Sequence, residues 1–350
     1  MNIYYILVIV FFILLFFSIV SSSNSKEPFQ GALLNSPNLI QVNGKRISRD
    51  NYSTMVHIYH GNTDEIIYLI NGNPLSQIIW HPIIQNIQKR KLNDHPVPSI
   101  ITYDLRGIGT SSFMQPSDSI VDTNIQNVEW SWDDYVEDLR QVHLQTSGNS
   151  RVSFAGWGFG GMIAQLYAMK YPNNINNLYL LQTTGSPPNI SSFMQQLVSD
   201  MDNNTDHYPN LSSTLVNNIL CNWFYIQDTQ LCNNTSSSLS NIDQTDTQSY
   251  LTVRSLLINA NSKVLLNNIK LMMNFHSNII WKQNAYPFSK VIVLSTNDDL
   301  IASPNISVQL MDAIRERNVS ILVPIIKQGK HFFTFETSNY IANLFTKRHN

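Results

Sequence analysis

The stretch Gly156–Gly161, which reads Gly-Trp-Gly-Phe-Gly-Gly, decides the fold of this chain. The apolar run Val152–Ala155 leads into it and has the length and composition of a buried strand. The run Met162–Ala168 leads out of it and is predicted to form a helix. Because glycine has no Cβ, the closely spaced glycines let the strand and the helix approach each other at a sharp turn.

This turn resembles the nucleophile elbow of the α/β-hydrolases, where Gly-x-Ser-x-Gly joins a strand to a helix and exposes a serine hydroxyl. Four other motifs resemble parts of that family and occur in the family's order: the loop Leu69–Pro74, the turn Tyr103–Ser111, the strand end Leu294–Ile301, and the loop Gln328–Phe333 with Glu336 beyond it. The resemblance extends over about residues 40–350 and is closest to lipases, esterases and proline-iminopeptidase-like enzymes. It implies the α/β-hydrolase fold.

The resemblance also implies a role for particular residues. The backbone N–H groups of Asn73 and Phe159 would hold an oxyanion. His331 would be the general base, and a carboxylate from the strand-end loop would orient it. Two aspartates compete for that position, and we predict Asp298 rather than Asp299 from its distance to the end of the strand.

Position 158 departs from the family, because Gly158 stands where the attacking serine would be and offers no nucleophilic atom. The residues predicted to line the pocket are Asn71, which replaces the family's histidine, Gly72 and Trp157. In the turn Tyr103–Ser111, Asp104 and Arg106 are predicted to form a structural turn and an ion pair rather than to take part in chemistry.

Apolar strands alternate with helices along much of the chain, which predicts an α/β fold with a mostly parallel central sheet and helices on both faces. The predicted strands include Ile66–Ile70, Ser99–Tyr103, Val152–Ala155, Leu178–Leu181 and Val291–Leu294. Before them, Ile40–Val42 and Met55–Tyr59 predict an antiparallel pair with Asn43-Gly44 as its turn signal. A predicted helix, Trp132–Leu144, has an inner face of Tyr135, Val136, Leu139, Val142 and His143.

The alternation stops in an Asn-, Ser- and Thr-rich region, which predicts a lid at residues 187–287 inserted between the core segments 35–186 and 288–350. At the other end, the apolar run Ile3–Val20 is followed by small residues, so 1–22 is predicted to be a signal peptide or a membrane anchor. The expected location is therefore outside the cell or in the endolysosomal lumen. The alternative is a single-pass anchor with the domain on the non-cytosolic side.

Two cysteines, Cys221 and Cys232, are expected to form a disulfide in an oxidising compartment, with two buried free thiols as the alternative. Sequons for N-glycosylation occur at Asn51, Asn189, Asn203, Asn210, Asn233, Asn234, Asn305 and Asn318. Because the chain is rich in asparagine, several of these sequons are expected by chance alone.

The composition limits the classes of partner and cofactor that we expect. A net charge of −2 gives no electrostatic case for binding nucleic acid. We expect no cofactor and no metal, because the nine histidines and two cysteines show no metal-ligand spacing. The 350 residues are 43% apolar, enough for a sizeable core, while the oligomeric state stays open.

Three functions are compatible with these motifs. The first is a catalytically silent hydrolase relative that binds an apolar or peptide-like ligand or a partner protein. The second is an enzyme in which Asp298 and His331 activate a water or transfer a proton next to a carbonyl. The third is an ester or peptide hydrolase whose serine lies elsewhere, for which the candidates are Ser111, Ser112 and Ser153.

Overall fold

The protein is described from a computed structural model. The described residues are 42–49, 52–109, 111–113, 129–188, 260–299, 301–316, 321–322, 325–326, 331 and 335–346, with a few single positions between 195 and 257. The predicted segment 1–22, both cysteines and most of the predicted lid lie outside these residues, so those expectations stay predictions.

A mostly parallel sheet forms the centre of the protein. Its strands are β1 Val42–Arg49, β2 Tyr52–Tyr59, β3 Ile66–Ile70, β4 Ser99–Tyr103, β5 Ser112–Phe113, β6 Val152–Trp157, β7 Ile175–Leu181, β8 Lys290–Thr296, β9 Ile321–Leu322 and β10 Ile325–Ile326. They run in the order β1-β2-β4-β3-β6-β7-β8-β10, with β5 on β2 and β9 on β8. Among the strands that the structure describes, the antiparallel pairs are those that involve β2. This confirms the predicted sheet.

Seven α-helices connect and cover the strands in the described part of the chain. They are α1 His81–Leu92, α2 Trp132–Ser147, α3 Phe159–Lys170, α4 Ser262–Met273, α5 Asn278–Gln283, α6 Pro304–Arg315 and α7 Phe335–Thr346. Helix α1 packs against α7, and α2 packs against α3. Helix α2 begins with a capping box between Ser131 and Asp134, and all five residues predicted for its inner face are buried. Among these described helices, none is long and apolar enough to cross a bilayer.

An antiparallel pair opens the sheet as predicted, but its first strand, Val42–Arg49, shares only Val42 with the predicted Ile40–Val42, and the predicted turn is wrong. Asn43 and Gly44 lie inside β1, where they pair with Ile58 and His57 of β2. The last pair is Arg49 with Tyr52, which places the connection at residues 50–51. An Asn-Gly signal favours a turn only locally, and here the continuous ladder between β1 and β2 overrides it.

Candidate active site

The elbow has the sharp geometry that its glycines predict. Gly158 joins β6 to α3 with φ +53° and ψ −117°, a backbone conformation that residues with a side chain rarely adopt. A Cβ at Gly156 would lie 2.4 Å from the carbonyl oxygen of Gly160, and one at Gly160 would lie 2.3 Å from that of Ile70. The flanking glycines are therefore required by close packing, whereas the nearest backbone atom to a Cβ built on Gly158, outside its chain neighbours and its own helix, is the carbonyl oxygen of Gln182 at 4.0 Å.

His331 lies directly beside position 158. A Cβ built on Gly158 would be 2.9 Å from Nε2 of His331. The other ring nitrogen, Nδ1, is 2.9 Å from Oδ2 of Asp299. When Nδ1–H donates to this carboxylate, Nε2 is the ring nitrogen that faces position 158. The histidine predicted to be the base and a carboxylate that can orient it therefore lie beside a position that has no nucleophile.

The carboxylate that contacts His331 belongs to Asp299, so the prediction that Asp298 lies in this position is wrong. Strand β8 continues to Thr296, two residues past its predicted end, which moves the strand-end loop along the chain. Oδ1 of Asp299 accepts the backbone N–H groups of Ile301 and Ala302, each at 2.8 Å. These bonds hold the carboxylate inside the protein, where Asp299 is only 2% exposed. Asp298, by contrast, is exposed to solvent.

The loop after β3 packs against the elbow. A Cβ at Gly72 would lie 2.5 Å from the ring of Trp157, so only glycine fits there. Nδ2 of the buried Asn71 donates to the carbonyl of Leu75, which closes the loop. Asn73 is buried, and its Oδ1 accepts a hydrogen bond from Nδ2 of Asn268 on α4 at 2.8 Å. The loop is thus fixed both to the elbow and to a helix at the end of the predicted lid.

Phe159, the second predicted oxyanion residue, is the first residue of α3. The first N–H groups of a helix have no partner within the helix, and the helix dipole favours an anion there. The Phe159 side chain stacks on Trp132 and meets Tyr135 edge-on, so it packs between α2 and α3. Its backbone N–H remains the predicted oxyanion donor.

Trp157 packs against His331 and is hydrogen-bonded to residues that the motifs did not reveal. Its fully buried ring lies 5.2 Å from the His331 ring, between centroids. Its Nε1 donates to Oε1 of Gln182 at 3.0 Å, and Nε2 of Gln182 donates to Oγ1 of Thr296 at 2.9 Å. One signal for Gln182 existed, since it is the first polar residue after the apolar run that ends β7. That Asn71, Gly72 and Trp157 line a ligand pocket stays a prediction.

The turn after β4 is structural. Asp104 is fully buried, and its Oδ1 accepts the backbone N–H of Gln77 at 2.6 Å. Arg106 forms a bidentate pair with Asp138 on α2, with both hydrogen bonds at 2.7 Å. Arg106 thus forms an ion pair whose acid is Asp138 on α2, where the sequence had predicted Asp104. It raises the pKa of Arg106 against the opposing effect of burial and keeps the guanidinium charged.

Two alternative serines have structural hydrogen bonds. Oγ of Ser111 donates to the carbonyl oxygens of Leu105 and Ile108, and Ser153 is buried with its Oγ near Glu65 and Asn177. Ser112 lies in the short strand β5, which pairs with β2. The structure places neither Ser111 nor Ser153 in a bond with His331.

A small cavity lies beside the loop that carries Asn73. It has a volume of about 90 Å³, and its walls come from that loop, from the turn after β4 and from the region of α4: Pro74, Ser76, Gly107, Ile108, Gly109, Leu256, Ala260, Asn261 and Val264. Most of these residues are apolar or glycine. The cavity therefore offers space for an apolar group next to the predicted oxyanion loop.

Other predicted features are placed only in part. Asn305 is exposed at the start of α6, while the other seven sequons and both cysteines lie outside the described residues. In the part of the chain that the structure covers, no group of three or more His, Cys, Asp or Glu side chains could hold a metal ion.

Comparison with protein families agrees with this architecture. A family model described as the alpha/beta hydrolase fold matches residues 65–336, which include the loop after β3, the elbow, Asp299 and His331. The predicted family resemblance is thereby confirmed. A search of curated protein sequences found no match.

Solved structures share the fold at low sequence identity. An enol-lactonase from Burkholderia xenovorans LB400 superposes with a TM-score of 0.64 at 15% identity, covering 86% of this chain and 97% of its own. A putative lipase from Acinetobacter baumannii AYE gives 0.63 at 16%, covering 91% and 95%. A thermophilic esterase from Thermogutta terrifontis, described with malate bound, gives 0.61 at 15%, covering 87% and 96%. At such identities the likeness establishes the fold alone.

Proposed function

Because this chain belongs to the α/β-hydrolase family and has glycine at the nucleophile position, we propose that it binds a ligand without forming an acyl-enzyme. The ligand is a small apolar or peptide-like molecule, held between His331 and the loop that carries Asn73. The proposal goes beyond the family, whose solved relatives include enzymes described as esterase and lactonase.

One observation carries the proposal: a Cβ at Gly158 would lie 2.9 Å from Nε2 of His331. The base therefore faces the position from which a serine would attack, and Gly158 supplies no oxygen there. The remainder of the site supports retention of a ligand, because the donors and the apolar cavity are fixed by buried contacts. A binding site needs this rigid frame, whereas covalent catalysis also needs the missing atom.

A fluorophosphonate probe tests the absence of an activated serine, because it labels only such a residue. We expect no labelling of the wild type and labelling of Gly158→Ser, which restores a hydroxyl at the elbow. Gly158→Ala is the matched control, since it adds the Cβ without the hydroxyl. Labelling of the wild type would contradict the proposal and assign a serine elsewhere in the chain.

We also propose that the domain works in the secretory pathway, as a secreted or endolysosomal protein, or as an anchored protein facing away from the cytosol. The apolar run Ile3–Val20 and the small residues after it support this. N-terminal sequencing of protein from its native cells separates a cleaved signal, with a start near residue 23, from a retained anchor that starts at Met1. Recovery of the intact chain as a cytosolic protein would contradict both forms.

A second function is favoured by the intact pair of Asp299 and His331, which are joined at 2.9 Å and are both buried. This pair could activate a bound water or remove a proton next to a carbonyl. Serine proteases that lack a triad member retain about 10³- to 10⁴-fold catalysis over water, which sets the expected scale. Slow ester hydrolysis by the wild type, lost in His331→Ala, would support this function, and equal rates in both proteins would exclude it.

A further inference from the structure

A directed chain of hydrogen bonds leads to the loop that carries Asn73. The backbone N–H of Trp130 donates to Oδ1 of Asn267 at 3.2 Å, and Nδ2 of Asn267 donates to Oδ1 of Asn268 at 3.3 Å. Nδ2 of Asn268 then donates to Oδ1 of Asn73 at 2.8 Å. A backbone N–H can only donate, so it sets the orientation of the first amide, and each following amide takes the same direction.

Tyr135 reinforces this direction. Its hydroxyl donates to the same Oδ1 of Asn268, a fully buried side chain on α4. Burial raises the pKa of Tyr135 far above its ordinary value, so the hydroxyl keeps its proton and remains able to donate. Two donors therefore converge on Oδ1 of Asn268, and its Nδ2 must face Asn73.

The chain ends in an unused donor. Oδ1 of Asn73 accepts from Asn268, while its Nδ2 is buried and has no hydrogen-bond partner among the described residues. Asn73 is only 8% exposed. A buried donor without a partner is unfavourable, so an acceptor that arrives with a ligand would be stabilised at this place.

The unused donor belongs to the side of the site where a ligand oxygen is expected. Asn73 follows Gly72, which packs directly on Trp157, and Trp157 in turn packs on His331. It precedes Pro74, which lines the apolar cavity of about 90 Å³. Helix α3, which begins at Phe159, adds a dipole that favours an anion at its start.

We propose that the side-chain amide of Asn73 is a ligand-binding donor that selects a carboxylate on an apolar ligand, and that Asn267 and Asn268 fix its direction. This role is additional to the backbone N–H of Asn73 in the predicted oxyanion hole. The inference rests on the proposed binding function and gives it a ligand class. An aliphatic acid and the C-terminus of a short peptide both supply this chemistry.

The test changes Asn268, which lies away from the proposed ligand, by replacing its side-chain NH2 group with an oxygen. In Asn268→Asp, the new carboxylate can only accept, so Asn73 must turn its Nδ2 toward residue 268 and present Oδ1 to the ligand. Binding of octanoate and of octanamide is measured by calorimetry on the full-length protein. We expect octanoate binding to weaken about 10- to 100-fold, because an attractive donor becomes a repelling acceptor, while octanamide binding is kept.

Two further variants make the test decisive. Asn73→Asp replaces the donor itself and should weaken the binding of octanoate to the same extent. This variant therefore tests the proposal even if Asn268→Asp does not fold. Asn274→Asp places the same charge at an exposed position at the end of α4 and should leave the affinities for octanoate and octanamide unchanged. If Asn268 had a purely structural role, Asn268→Asp would lower the melting temperature of the protein. It would not change the ratio of the affinities for octanoate and octanamide.

The outcomes separate the inference from the proposed function. The inference is overturned if Asn268→Asp and Asn73→Asp both leave the octanoate-to-octanamide affinity ratio unchanged. It is also overturned if the wild type binds neither octanoate nor N-acetyl-leucyl-leucine. Both results count even if no ester is hydrolysed. Labelling by fluorophosphonate overturns the proposed function, whatever the binding data show. Preferential binding of N-acetyl-leucyl-leucine supports a peptide C-terminus as the source of the carboxylate, and preferential binding of octanoate supports an aliphatic acid.

Discussion

Replacing Gly158 by alanine should destabilise the protein through its backbone. The residue has φ +53° and ψ −117°, where a side chain costs about 1–3 kcal/mol. The new Cβ would also approach Nε2 of His331 to 2.9 Å, so the ring must move back by a few tenths of an ångström. For 350 residues, an unfolding entropy of about 2.1 cal/mol/K per residue converts this loss into a melting temperature lower by about 1–4 °C.

Gly148 provides a matched control for this prediction. It has φ +62° and ψ −137°, close to the conformation of Gly158, but a Cβ there would meet nothing within 4 Å. Differential scanning calorimetry of Gly148→Ala therefore measures backbone strain without the contact to His331. The reasoning would be refuted if Gly158→Ala melted at the wild-type temperature while Gly148→Ala was destabilised.

Three further predictions concern charged and titratable residues. Asp138→Ala should lower the free energy of unfolding by about 3 kcal/mol, the lower end of the cost of breaking a buried ion pair, because Asp134 remains 3.8 Å from Nη1 of Arg106. Chemical denaturation should show no such loss for the exposed Asp133→Ala. Burial lowers the pKa of His143 to about 4, so the unfolded chain binds an extra proton between that pH and about 6.5. Stability should fall as the pH drops through this window, and denaturation of His143→Gln should show a weaker pH dependence; an equal slope would refute this assignment. In a Gly158→Ser background, Asp299→Asn should reduce ester hydrolysis strongly and Asp298→Asn should not, and the opposite order in kinetic assays would restore Asp298 as the acid.

The buried strands could be predicted from the sequence because their apolar runs leave little choice of environment. Ile66–Ile70 and Ser99–Tyr103 form strands at their predicted bounds. The elbow could be predicted as well, since only glycine fits at Gly156 and Gly160. By contrast, the β1–β2 turn was misplaced, because ladder pairing rather than the Asn43-Gly44 dipeptide determines where that hairpin turns.

The chemistry of the site could be predicted only in outline. Two adjacent aspartates have the same chemistry, and Asp299 is chosen by the backbone N–H groups of Ile301 and Ala302, which only the folded loop brings to it. The direction of the Asn73 amide depends on Asn268, which is 195 positions away in the chain. Such contacts leave no local pattern, so the sequence indicated the role of Asn73 through its backbone alone.

The most direct test of the central claim is p-nitrophenyl ester hydrolysis by the wild type beside Gly158→Ser. The account predicts a wild type near background and a gain in Gly158→Ser that His331→Ala abolishes, since the base already faces position 158. That result would mean that a complete hydrolase frame lacks one oxygen atom. Full activity in the wild type, unchanged by Gly158→Ser, would contradict the account and show that another residue attacks the ester.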